Sequence, residues 1–508
     1  MNAISFLRRN AAKYPQKTGF VFDDTPYTYE EVMWTSLGFA NHLKKNGIGR
    51  GDKVCTMFYN SIEVVYAYFS TLLLGAVVVP INFRFVGSEV SYIINNSDAK
   101  AVIYGEEFKD VIDQIRDKLA DVTFSMVLNM GNNGRKFKFA QPAPEEVSTI
   151  KNMDIDTSDE AFILYTSGTT GKPKGAVLTH YNVVWNQARN VNSPPIYRDE
   201  VMINPLPFFH SGALARFLSI MMAGGTIVSW KKFDAHQIIE NISKYKTTFI
   251  LLVPAMARMI LGLPNLEKYD LSSVRNIILT ASIVPVPLKK QVLEIFPNAQ
   301  IIDGYGLTEN TSSVAMSAGK DVFERPSSVG LPDFVTEIKI VNENFEEVPA
   351  NAIGEIAVHG PNVMKGYYKD PEATAKTIKD GWLLTGDLGR KDEDGYLYIV
   401  GRKKDMIISG GENIYPAEIE AILDSHPSIQ ESAVIGVPDP KWGETVLACI
   451  VLKPGQRMSE NEVEEFCMGR MAGYKRPRII KFIDELMKNA SGKTVKYELK
   501  KIYGTIEE

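Results

Sequence analysis

A chain of 508 residues, 45% hydrophobic and 23% charged, can bury more than one core, so at least two domains are expected. Its formal net charge of −5 gives no basic excess, which argues against nucleic acid as a partner. The composition is that of an ordinary globular protein rather than a fibrous or low-complexity one.

The first residues, Met-Asn-Ala-Ile-Ser-Phe-Leu-Arg-Arg, run into polar sequence and hold no signal-peptide core. The longest apolar stretch, around 72–81, is interrupted by Gly75 and Pro80 and is too short to span a bilayer. A cytoplasmic protein is expected, with no transmembrane segment and at most weak peripheral membrane contact. Cys55, Cys449 and Cys467 have no metal-ligand spacing, and three separated thiols suit a reducing compartment.

From about residue 50 the chain alternates β-rich runs with amphipathic stretches. Residues 53–58 read as a strand and 61–74 as a helix closed by Gly75. Further strand candidates are 77–80, 101–104, 201–205, 226–230, 248–253, 274–280 and 300–303, with helical stretches between many of them. The alternation predicts an α/β fold of stacked layers with largely parallel sheets. After about residue 334 the pattern turns β-rich, through 335–341, 354–359 and 396–400. A polar knot at 401–405 then precedes a small α+β tail, whose helix 415–424 carries Pro416 in its first turn. The expected domains are therefore an N-terminal body, 1–400, a hinge, 401–405, and a C-terminal domain, 406–508.

The segment Tyr165-Thr166-Ser167-Gly168-Thr169-Thr170-Gly171-Lys172-Pro173-Lys174-Gly175 lies between two apolar strand candidates, 161–164 and 176–178. Its glycines let the backbone approach a polyanion, four hydroxyls add donors, and two lysines add positive charge. Those are the requirements of a triphosphate. A flexible Gly/Ser/Thr linker would not sit between two strands with two lysines and a proline in it. A Walker-type loop needs four residues between its glycines and Lys-Ser/Thr opening a helix. Here Gly168 and Gly171 are separated by two residues and Lys172 is followed by proline.

Downstream stand Asp303-Gly304-Tyr305-Gly306-Leu307-Thr308-Glu309, Thr385-Gly386-Asp387, Gly401-Arg402-Lys403-Lys404-Asp405 and Asn489-Ala490-Ser491-Gly492-Lys493. Tyr305 between two glycines offers a flat face for a purine, and Thr308 and Glu309 offer the hard oxygens that Mg²⁺ prefers. With the glycine-rich segment, these five motifs in this order resemble the adenylate-forming superfamily: acyl-CoA synthetases, luciferases and peptide-synthetase adenylation domains. The resemblance spans nearly the whole chain and points to the acyl-CoA synthetase branch.

The resemblance implies ATP, Mg²⁺ and coenzyme A as cofactors and a small carboxylic acid as substrate. It assigns Thr166, Ser167, Gly168, Thr169, Thr170, Gly171 and Lys174 to the phosphates. Asp303, Gly304 and Tyr305 would hold adenine, Asp387 and Arg402 the ribose, and Thr308 and Glu309 the Mg–ATP, with Ala281 also counted among the cofactor-binding residues. Lys493 becomes the lysine of the adenylation step, and Lys404 the pivot about which the C-terminal domain rotates. Gly410 and Gly411 would let the pantetheine arm pass the backbone. His210, in Pro207-Phe208-Phe209-His210-Ser211-Gly212, would gate the acyl pocket, and Lys441-Trp442-Gly443-Glu444 also resembles CoA-ligase members.

The expected reaction makes an acyl-adenylate from the acid and ATP, then an acyl-CoA thioester, releasing pyrophosphate and AMP. Candidate pocket segments such as 213–218 and 249–253 are largely apolar, which favours a medium- or long-chain fatty acid. An aromatic or alicyclic acid is the alternative, because Ile283 and Val284 are bulkier than the glycines and alanines usual there and would shorten the pocket. If instead they point into the sheet, the pocket keeps its length. An amino-acid-adenylating enzyme would hold the substrate amine with an aspartate near 208–212, where Phe209 and His210 stand instead. A luciferase-type oxygenase shares the motifs.

Overall fold

The computed structural model describes residues 1–128, 139, 142–151, 153–166, 172–280, 284–488 and 494–504. The fold is mixed α/β, with a large N-terminal body and a small C-terminal domain. Its contacts divide into two compact units, one of residues 1–338 and 358–383 and one of 339–357 and 384–508.

In the first unit one sheet runs in the order 366–367, 174–179, 160–166, 77–80, 53–57, 99–104, 124–127. Five strands from Glu160–Thr166 onward are parallel, and only Lys174–Thr179, between Glu160–Thr166 and Gly366–Tyr367, runs the other way. A second series begins at Ser328–Pro332 and continues through 315–318, 300–305, 276–279, 249–252, 201–203, 226–229 and 18–22 to Thr25–Thr28. Its middle is parallel, as the β-rich/helical alternation predicts.

Four elements precede the first strand read from the sequence: the helices Ile4–Lys13 and Tyr29–Lys45 and the strands Thr18–Phe22 and Thr25–Thr28. The longer helix starts with a capping box in which the Thr28 hydroxyl accepts from Glu31 N and Glu31 caps Thr28 N. One core of this unit gathers Ile203, Trp230, Ile239, Leu252, Leu279, Val284 and Leu288. Val284 is therefore a core residue packed with strand and helix side chains, whereas Ile283 lies outside the described residues. Trp230 is likewise spent on the core, and Lys231 pairs with Glu107 at 3.3 Å.

The second unit holds the antiparallel pairing of residues 387–391 with Leu397–Arg402 and a sheet ordered 412–414, 407–409, 443–452, 429–439. Strand Ile479–Phe482 adds parallel to Gly443–Leu452. The helix Pro416–Leu423 has its proline at the first turn, where the missing N–H costs nothing. Cys55, Cys449 and Cys467 are all buried and free. Among the described residues no helix is long and apolar enough to cross a membrane.

Candidate active site

The strands Glu160–Thr166 and Lys174–Thr179 pair antiparallel with Thr166 opposite Lys174. They are the two stems of the glycine-rich segment, and a strand rather than a helix follows it. Ser167, Gly168, Thr169, Thr170 and Gly171 lie outside the described residues. At the stem, Thr166 Oγ1 donates to the Lys174 carbonyl at 3.5 Å. Lys174 Nζ sits 5.3 Å from the centre of the Tyr367 ring, close enough for a cation–π attraction.

The strand Gln300–Tyr305 carries the second motif to the same side of this unit. Tyr305 pairs with Ala315, Gly304 with Met316 and Asp303 with Ser317. The chain then turns so tightly that a Cβ on Gly306 would lie 1.5 Å from Ser312 O, so only glycine fits. A single 3₁₀ turn, Thr308–Asn310, follows. Tyr367 Oη donates to Glu309 Oε1 at 2.8 Å, and the Thr308 and Ser211 hydroxyls meet at 3.1 Å. Lys174, Tyr367, Glu309, Thr308 and Ser211 thus form one chain of contacts. Burial, with Glu309 beside it, pushes the Tyr367 hydroxyl well above its usual range, so it stays a donor.

Asp303 is held by contacts within its own unit. Its Oδ2 accepts from the buried Lys289 Nζ at 2.7 Å and its Oδ1 from Gly304 N at 3.0 Å. Burial raises its pKa, and the Lys289 charge opposes that rise. Ala281 lies outside the described residues.

His210 sits at the N-cap of the helix Ser211–Ala223, with its ring 4.3 Å from the Phe209 ring. Asn60 fixes the loop before it: its side chain donates to Leu206 O at 2.8 Å and accepts from Phe208 N at 2.9 Å.

Within the second unit, Asp387 and Arg402 face each other across the antiparallel pair, Arg402 Nε lying 2.5 Å from Asp387 Oδ1. The two side chains form an ion pair across the strands. Glu355 supports the turn from below, accepting from Gly386 N and from Lys403 Nζ, each at 3.0 Å. Lys404 lies in the 3₁₀ turn Lys403–Asp405.

Gly410 has φ +61°, and a Cβ there would meet the Trp442 ring at 2.8 Å. Gly410 N also donates to Trp442 O at 2.8 Å, and Gly411 shares the left-handed conformation at φ +89°. Residues 489–493, with Lys493, lie outside the described residues. Their two ends are joined by the bridge Lys488–Thr494. Lys488 pairs with Glu431 at 2.5 Å and Lys496 with Glu420 at 2.6 Å.

The sequence matches the family model of the AMP-binding enzyme over residues 7–368 and that of its C-terminal domain over 418–493. The chain belongs to the AMP-binding enzyme family. Among its relatives, a feruloyl-CoA synthase of Amycolatopsis is 35% identical over 497 residues, 98% of each chain. A long-chain-fatty-acid–CoA ligase of Mycobacterium tuberculosis is 34% identical over 98% of this chain and 97% of its own. ATP-bound MatB from Rhodopseudomonas palustris superposes with a TM-score of 0.88 at 30% identity over 100% of both chains.

This AMP-binding enzyme is accordingly an acid–thiol ligase of the AMP-forming acyl-CoA synthetase class, using ATP, Mg²⁺ and coenzyme A. Sequence reading did not single out Lys289, Tyr367 or Glu355, which contact the motif residues Asp303, Glu309 and Gly386. Each reaches its partner from outside the motif that it supports. Among the described residues no group of three or more His, Cys, Asp or Glu gathers to hold a metal. Glu309 and Thr308 supply one carboxylate and one hydroxyl, a donor set that suits Mg²⁺, which keeps waters and phosphate oxygens as its other ligands.

Proposed function

We propose that the first unit activates an organic acid at the Ser211–Thr308–Glu309 corner and that the second unit completes each half-reaction. The contact chain from Lys174 through Tyr367 to Glu309 carries this reading. It runs from the stem of the phosphate-type loop to the hard oxygen donors within one unit. ATP supplies the adenylyl group and coenzyme A the thiol; Mg²⁺ held at Glu309 and Thr308 would neutralise phosphate charge.

The remaining roles follow from each residue's chemistry. Residues 166–174 grip the phosphates. Tyr305 stacks on the adenine, while Lys289 holds Asp303 beside it. Asp387 takes the ribose hydroxyls, with Arg402 orienting its carboxylate. The helix Ser211–Ala223 begins beside Thr308 with no acid in its first turn. Its positive end favours the substrate carboxylate there. That carboxylate oxygen bonds to the α-phosphorus as the bond to pyrophosphate breaks, and Lys493 balances the charge that develops. After rotation at Lys404, the thiol sulfur bonds to the acyl carbon and AMP leaves. Gly410 and Gly411 border the path of the thiol arm, and His210 with Phe209 closes the acyl side.

For the acid, the same helix offers Ala213, Leu214, Phe217 and Leu218, all buried and apolar. Buried Arg216 interrupts them. This favours a medium-length or aryl carboxylate over a long unbranched fatty acid, whose tail would have to pass a guanidinium. The test is acid-dependent exchange of labelled pyrophosphate into ATP over fatty, alicyclic and aromatic acids, followed by thioester formation with CoA. Exchange strongest with medium or aryl acids supports the reading. No exchange with any acid overturns it.

A further inference from the structure

The helix Ser211–Ala223 carries a charge that no partner answers. Arg216 is 5% exposed, and the contact it makes, from Nη2 to Met316 Sδ at 3.4 Å, is to a weak acceptor. Its Nη1 is buried with no hydrogen-bond partner, and among the described residues no carboxylate lies within ion-pairing distance. The neighbouring buried guanidinium, Arg189, is paired with Asp333. Of these two buried cations, only Arg189 is answered by a carboxylate. Burial alone pushes Arg216 down to about 10, which leaves it charged at neutral pH, whereas Arg189 is pushed to about 9 by burial and by Arg216 itself.

A buried cation without a counter-ion is costly, and proteins retain one mainly where an anion arrives from outside. The position of Arg216 says which anion. Met316 pairs with Gly304 across the strands, and a Cβ on Gly304 would lie 3.4 Å from Met316 Cγ. Arg216 is therefore one flexible side chain away from the Asp303–Tyr305 motif. Its Cα is about 7.5 Å further along the helix axis than that of Ser211, at 1.5 Å per residue. An acid activated beside Ser211 and Thr308 would point its tail along that distance. Met is unbranched and can swing aside.

We infer that Arg216 is a specificity residue for the acyl tail, and that the acid this enzyme activates carries a second carboxylate a short spacer away from the reacting one. This rests on the ligase reading above. The second carboxylate takes the open Nη1, and Nη2 once the Met316 side chain swings aside, as a bidentate contact. A site built to pair a charge rejects the analogue that lacks it far more strongly than an apolar pocket rejects a methylene.

The test uses the full chain with matched acids: octanoate against octanedioate, and benzoate against benzene-1,4-dicarboxylate. Pyrophosphate exchange and thioester formation are measured for the native enzyme, Arg216→Met and Arg216→Gln. The expected native kcat/KM favours at least one diacid over its matched monoacid by tenfold or more. Arg216→Met should lower that diacid's kcat/KM about a hundredfold, mostly through KM, and raise the monoacid's. Because it removes an unanswered charge, Arg216→Met should also raise Tm. Preference for monoacids by the native enzyme, or a Tm that falls in both variants with the diacid:monoacid ratio unmoved, overturns the assignment to the acyl tail. Absence of exchange with every acid would instead defeat the ligase reading itself, so the two failures are distinct.

Discussion

Tyr367 donates its hydroxyl to Glu309 Oε1 at 2.8 Å across 58 residues of sequence, while its ring lies under Lys174 Nζ at 5.3 Å. One aromatic side chain thereby ties the lysine at the stem of the phosphate-type loop to the carboxylate proposed for Mg²⁺. Removing the hydroxyl alone tests whether that tie orients the carboxylate. A hydrogen bond to a charged group is worth about 1.5–3 kcal/mol, so Tyr367→Phe should lower kcat/KM for acid-dependent pyrophosphate exchange by at least about tenfold. The Mg²⁺ concentration for half-maximal exchange should rise in parallel. An unchanged Mg²⁺ dependence would show that Tyr367 only packs.

Lys289 and Asp303 form a buried pair at 2.7 Å, the lysine side chain 1% exposed and the aspartate 13%. Breaking such a pair from one side leaves a charge stranded and costs about 3–5 kcal/mol. Lys289→Met should therefore destabilise strongly in urea unfolding. Lys289→Met with Asp303→Asn should recover most of that loss, because both charges go together. The double variant should still bind ATP more weakly than the native enzyme if Asp303 touches the nucleotide. Equal destabilisation in the single and double variants would show that the pair has no coupling.

These two cases also show what could be read from the sequence. The segments 165–175 and 303–309 announce themselves because glycines, hydroxyls and charges crowd into a few consecutive residues. Largely parallel pairing follows from alternation, and the expected strands 53–58 and 300–303 appear as Lys53–Met57 and Gln300–Tyr305. Lys289, Glu355 and Tyr367 instead meet their partners at separations of 14, 31 and 58 residues. Only the folded topology brings those together, and each looks like a surface residue when read alone. Val284 was ambiguous because a one-residue change of register moves a side chain to the other face. The capping box Thr28–Glu31 was a readable helix start that the alternation pattern from residue 50 onward did not include.

The stems of the Lys493 loop are anchored by Lys488–Glu431 at 2.5 Å and Lys496–Glu420 at 2.6 Å. If Lys493 serves adenylation and not thioester formation, Lys493→Ala should reduce exchange by at least about a hundredfold, the scale of losing a preorganised charge. It should leave CoA acylation from supplied acyl-AMP within a few-fold. Glu420→Gln removes one anchor and should show the same selective loss in milder form. Equal loss in both half-reactions would refute the division of labour.

Gly410 tests the other half-reaction. Its φ of +61° and the 2.8 Å approach of a Cβ to the Trp442 ring make Gly410→Ala costly by about 1–2 kcal/mol of backbone strain. The shift should slow acylation of CoA about tenfold while exchange is retained. A variant impaired only in exchange would place Gly410 elsewhere in the cycle.

His180 should give the first unit a pH-dependent stability. It is fully buried, its Nδ1 accepts from Ala3 N at 3.2 Å, and burial pushes its pKa down to about 4. The ordinary value near 6.5 applies once the chain unfolds. The unfolded state therefore binds the extra proton between those values, and stability falls as pH is lowered. The neutral histidine's contribution is complete above pH 6.5 and lost progressively toward pH 4. Between pH 7 and pH 5 the linkage amounts to about 2 kcal/mol. His180→Asn, which keeps an oxygen able to accept from Ala3 N, should be less stable than the native protein at pH 7 but lose markedly less between pH 7 and pH 5. Urea midpoints at the two pH values measure the difference, and an equal drop in both proteins would assign the acid sensitivity to other groups.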